Sequence, residues 1–191
     1  AYIAVGVWTH WLCTRDLAAV SELWPTVRKA LSWVLSMRRE NGSIIWARET
    51  DAKPWDYALL TGSSSIRHAL HCGAAIGDLL GDSQPEWTAA ADAIDHLVAT
   101  DLGAFEPKTR WAMDWYYPVL TGAMTGARAK ARLAEGWDRF VLEVIAKGEV
   151  AEHLEKRMVT RCVTHVVEIV VLAACAHAFL RRCCAFVVAG L

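Results

Sequence analysis

Trp55-Asp56-Tyr57-Ala58-Leu59-Leu60-Thr61-Gly62 and, sixty residues on, Trp115-Tyr116-Tyr117-Pro118-Val119-Leu120-Thr121-Gly122 agree at five of eight positions. A shared Trp-x-Tyr-x-x-Leu-Thr-Gly at fixed spacing points to one supersecondary unit used more than once. Before each copy comes an amphipathic helical stripe. Trp24, Val27, Leu31 and Val34 recur at spacings of three and four, with Arg28, Lys29, Arg38 and Arg39 off the stripe. Trp87, Ala90, Ile94 and Leu97 repeat the pattern, with Asp92 and Asp95 outside it. Between the stripes, Leu59, Gly62, Ile66, Ala69, Gly73, Gly77 and Leu80 predict an inner helix whose glycines allow close backbone approach.

Turn chemistry separates these elements. Asp16 is a predicted N-cap for a helix from Leu17, after a first helix over residues 1–13 that is apolar on all sides and therefore expected to be buried. Asn41-Gly42 ends the Trp24 helix, and Ser43 to Ala47 is a short β-like run. Gly81 to Pro85 is a tight turn, whereas the segments at about 40–56 and after Leu102 are long connections of the kind that often carry function. Outer helix, long loop, inner helix and short turn alternate. The long loops and the N-termini of the inner helices are therefore expected at one end, the candidate site. In this register Trp-x-Tyr-x-x-Leu-Thr-Gly is the entry to each inner helix.

Composition narrows the function classes. The net charge of −1 across 191 residues, with no basic stripe, argues against nucleic acid as a partner. All ten tryptophans fall between Trp8 and Trp137, a wealth suited to a core or a ligand-lined cavity. The six cysteines form no Cys-x-x-Cys pair and read as structural thiols of a reducing, cytoplasmic compartment. Ala1 opens on what reads as the middle of a helix, so the chain is expected to be a fragment lacking earlier hairpins.

The residues from Pro54 to Ile66 and from Arg110 to Leu120, set in a sixty-residue repeat of outer and inner helices, resemble a bacterial family of six-hairpin-glycosidase-like proteins often labelled prenyltransferase. The resemblance covers roughly residues 1–145. It implies an all-α fold, a partial α/α toroid of about three hairpins, shared with glucoamylase-like enzymes, terpene cyclases and protein prenyltransferases. It also implies carbohydrate as the class of ligand, with isoprenoid handling as the alternative and a non-catalytic helical scaffold as a third reading. The cyclase branch carries Asp-x-Asp-Asp and Gln-x-x-x-Gly-x-Trp motifs. This chain has neither, and only one glutamine, Gln84. The zinc set of protein prenyltransferases is likewise not evident.

Hydrolysis of a glycosidic bond needs one carboxylic acid to protonate the leaving oxygen and one carboxylate to activate water or attack. Asp56 and Asp114 flank the repeated tryptophans. At inner-helix N-termini the helix dipole would hold them ionised, which suits a base. The acid is then sought in a loop, among Glu49, Asp51 and Glu106. The competing structural role is N-capping. Trp46, Trp55, Trp111, Trp115, Tyr116 and Tyr117 are candidate platforms for a sugar ring or, in the structural alternative, plugs of the core. Arg110, with Arg48, Lys53 and Lys108, is a candidate for contacting an anionic group, against ordinary solvated charge.

No cofactor and no metal are expected. His68 and His71 on the inner helix have no carboxylate at ligand spacing beside them. Thr61-Gly62-Ser63-Ser64-Ser65 has no Gly-x-Ser-x-Gly pattern for a nucleophile. Residues 1–147 are expected to form the hairpin repeats. Residues 148–191, with no Trp or Pro and four cysteines, form a distinct tail: a packed apolar helix or a frame-shifted end. A membrane span over 163–180 is not expected, because His165, Glu168 and His177 interrupt it. The oligomeric state is left open.

Overall fold

The computed structural model describes residues 1–47 and 55–142. The expected tail helix and the loop candidates Arg48, Glu49, Asp51 and Lys53 lie outside the described residues. Among the described residues the fold is all-α. Its helices are α1 (Tyr2–Thr14), α2 (Leu17–Leu35), α3 (Leu60–Leu80), α4 (Pro85–Thr100), α5 (Ala112–Leu120) and α6 (Gly126–Trp137). A 3-10 turn lies at Leu102–Ala104 and a π-helical turn at Asp138–Leu142. None of these helices is long and apolar enough to cross a membrane. The chain divides into two units, Ala1–Arg132 and Leu133–Leu191, and the expected boundary at 147/148 lies outside the described residues.

In the first unit α3 is the hub, packed by α1, α2, α4 and α5. The expected stripes are the buried ones: Trp24, Val27, Leu31 and Val34 on α2, and Trp87, Ala90, Ile94 and Leu97 on α4. Both helices close on α3 at Gly73, where an added Cβ would collide with Leu31 Cδ1 and come within 2.9 Å of Trp87 Cζ3. Trp87 is fully buried. At about 25 cal/mol per Å2 over the roughly 150–250 Å2 that an aromatic side chain buries, it supplies about 4–6 kcal/mol as an upper bound. Its ring lies 5.6 Å from that of Trp24, tilted by 60°. Trp24 Nε1 in turn donates to Asp82 Oδ2 at 2.9 Å, pinning the α3–α4 turn to α2.

The predicted N-cap is present: Asp16 Oδ1 accepts the Ala19 amide at 3.0 Å. The first helix departs from expectation. Only Ala4 and Val7 of α1 are buried, because α2 and α3 are its main neighbours and cover one side of it. The β-like run is reduced to isolated antiparallel bridges, Arg38 with Ile44 and Ile45 with Ala58.

The two motif copies take different conformations. In the first, Trp55 to Leu59 precede the helix, Leu59 is the N-cap of α3, and Thr61-Gly62 form its first turn. In the second, Trp115 already lies inside α5 and Thr121-Gly122 end it. Gly122 adopts φ 75°, and the Met124 amide folds back onto the Pro118 carbonyl at 2.8 Å, so the chain cannot continue as helix there. The motif is therefore an entry in one copy and an exit in the other.

Candidate functional site

α3 and α5 run in the same direction. Tyr2 Oη lies 3.1 Å from both Ser65 Oγ and Tyr117 Oη, and Arg67 Nη1 donates to the Thr121 carbonyl at 3.2 Å, so the contacts advance together along both helices. Their N-terminal turns consequently share one end. Three short segments gather near it. The Trp46 amide donates to the Tyr57 carbonyl and the Trp55 amide to the Ala47 carbonyl, both at 2.9 Å, which pairs 45–47 with 55–58. The Glu106 amide then donates to the Ala58 carbonyl at 2.8 Å, bringing the 105–111 loop alongside.

The expected aromatic residues separate into two groups. Trp46, Trp55 and Trp111 are exposed, at 52%, 41% and 55% of their surface. Trp46 lies over the first turn of α3, its ring 3.8 Å from where a Gly62 Cβ would be, an ordinary van der Waals distance. Trp55 meets Tyr57 edge to face at 5.6 Å, and Lys108 Nζ sits 5.2 Å above the Tyr57 ring. Arg110 stacks on Trp111 at 4.8 Å. Pro107, Lys108, Thr109, Arg110 and Trp111 line a cavity of about 320 Å3. Trp115, Tyr116 and Tyr117 instead lie half-buried within α5. Trp115 Nε1 donates to the Arg132 carbonyl at 2.6 Å, and Tyr117 is pushed up to about 12 by its hydrogen bond with Tyr2 and by burial.

The carboxyls also differ from expectation. Asp56 is exposed and stands four residues before α3, so it does not cap that helix. Asp114 is not a cap either: it occupies the first turn of α5, whose N-cap is Trp111. Its residue is only 6% exposed, and its Oδ1 has no hydrogen-bond partner. Burial raises its pKa above the usual aspartate value. The Arg132 and Lys108 charges and the nearby Lys108 backbone amide pull the other way without prevailing. Desolvation thus opposes the dipole argument for an ionised base at Asp114. Glu106 is exposed, with its Oε1 3.4 Å from Lys108 Nζ. Lys108 therefore stands between Glu106 and Asp114. Neither its role nor that of Arg132 is signalled by the motif, because each acts through the backbone or across a turn.

Of the two inner-helix histidines, His71 does have carboxylate neighbours, supplied by α4 and invisible to linear spacing. Ligand atoms of His71, Asp92 and Asp95 lie within 4.8 Å of one another. Arg67 nevertheless forks onto both Asp95 oxygens at 2.8 Å, and a cation there would compete with the guanidinium. Cys72 is buried beside His68, its thiol pushed up to about 12 by burial, which suits a packing role.

No protein-family model matches the chain. Over 142 residues, 74% of its length, the chain is 44% identical to the MMP endo-(1,4)-3-O-methyl-alpha-D-mannosidase of Mycolicibacterium hassiacum. That stretch spans 39% of the length of this curated relative, a glycosidase by name.

Proposed function

We propose that the chain is part of a glycosidase of the α/α-toroid type that acts on an α-linked mannoside chain bearing O-methyl groups. The likeness to the mannosidase carries this reading. The co-directional α3 and α5, with their loops at one end, agree with a partial toroid. Asp114 is the proposed proton donor to the leaving oxygen, since burial raises its pKa above the usual aspartate value. Glu106 and Asp56 are the exposed carboxyls offered for activation of water, with Glu106 joined to the same loop through Lys108. Trp46, Trp55 and Trp111 provide sugar-stacking surfaces, and Arg110 holds the Trp111 indole in place. Trp115, Tyr116 and Tyr117 shape the wall behind them. The isoprenoid alternative gains no support from the relative.

The test is incubation of the chain with α-1,4-linked 3-O-methylmannose oligosaccharides, with products followed by mass spectrometry. Cleavage is expected, and Asp114→Asn should lower its rate by about 10²–10⁴. Oligosaccharide that is neither bound nor cleaved, or an Asp114→Asn variant of full activity, would sink the reading.

A further inference from the structure

Pro118 lies inside α5, four residues after Asp114. It has no amide hydrogen, so the Asp114 carbonyl is left without its helical donor. Arg132 supplies one: its Nη2 donates to the Asp114 carbonyl at 2.7 Å and its Nε to the Trp115 carbonyl at 2.8 Å. Trp115 Nε1 returns a bond to the Arg132 carbonyl at 2.6 Å. Three hydrogen bonds thus join one residue of α6 to two adjacent residues of α5. The planar guanidinium reaches two carbonyls through two nitrogens in fixed geometry, which a lysine ammonium at the end of a flexible stem does not reproduce.

We infer that Arg132 is a positioning residue: by replacing the amide that Pro118 lacks, it fixes the backbone at Asp114 and hence the direction of the Asp114 carboxyl. This inference rests on the reading of Asp114 as proton donor, yet its geometric content can be tested apart from any activity. Arg132 on α6 and Lys108 on the 105–111 loop are the charged groups that face the Asp114 carboxyl among the described residues. Removing the Arg132 charge should therefore let burial raise the Asp114 titration further. A charged lysine should keep more of that restraint while losing the fork. The two variants separate charge from geometry.

The experiment compares Arg132→Gln and Arg132→Lys in the full chain. The Asp114 carboxyl is followed by carbon NMR against pH, with Asp114→Asn assigning the signal, and the amides of 112–117 are followed by hydrogen exchange. Arg132→Gln should move the Asp114 midpoint upward and speed exchange across α5 by about tenfold. Arg132→Lys should leave the midpoint nearer that of the wild type yet show the same faster exchange. On the methylmannoside substrate both should lose kcat with little change in KM, the signature of a misplaced reacting group. An unchanged midpoint and unchanged α5 exchange in both variants would overturn the inference. Should Arg132→Gln fail to fold, the exchange of the folded Arg132→Lys decides alone. A wild-type chain that cleaves no mannoside removes the functional reading and leaves the NMR and exchange results to judge the clamp.

Discussion

At the scale of the residue, Asp114 ties stability to pH with the sign opposite to that of a salt-bridged carboxylate. Its folded pKa is raised, so the folded chain holds this proton more tightly than the unfolded chain does. The contribution is fully present below the ordinary aspartate value of about 3.9 and is lost as pH rises through the raised value. Across that window the wild type should lose stability relative to Asp114→Asn, in which a neutral amide occupies the site at every pH. Urea denaturation of both proteins at several pH values checks this, and parallel curves would show that burial leaves the carboxyl unshifted. The orphaned Oδ1 explains why the sequence misleads here. An aspartate in a first helical turn reads as a dipole-stabilised anion, and only packing reveals that its solvent has been removed.

At the scale of the element, α3 derives its position from what Gly73 lacks. Gly73→Ala should gain about 1 kcal/mol of helix propensity but force Leu31 and Trp87 apart, an overpacking worth about 1–3 kcal/mol. Net destabilisation, read as a lowered Tm, is expected, and an unchanged or raised Tm would show that α2 and α4 yield freely. The stripes on α2 and α4 and the inner glycines were legible in the sequence because a helix buries side chains at its own period. The conformation of the second motif copy was not. Five shared residues concealed Pro118 and the left-handed Gly122, and those two positions with the Arg132 clamp convert a helix entry into a short helix and its exit. Of the candidate site, the exposed Trp46, Trp55 and Trp111 could be located from their loops. Lys108 could be placed in its loop but not beside Asp114, and Arg132 could not be placed at all, since its contacts link separate helices.

At the scale of the whole molecule, stability in the Ala1–Arg132 unit should decline outward from the hub. Amides in the middle of α3, packed by four helices, should exchange slowest, while those of α5, interrupted by Pro118 and ended at Gly122, should exchange earlier. Peptide-level hydrogen exchange measures this, and equal protection of 63–76 and 112–120 would contradict it. Such a gradient would leave the aromatic loops free to adjust to a ligand while the three-helix junction beneath them stays intact. The Trp24–Trp87 pair sits in that junction at 5.6 Å and 60°. Two indoles so close and so inclined couple their electronic transitions, giving the chain a circular-dichroism couplet in the ultraviolet that single, isolated tryptophans lack. The share of that signal lost on replacing Trp24 or Trp87 would report on the α2–α4 junction optically, without a label, while the exposed indoles report on whatever occupies the loops.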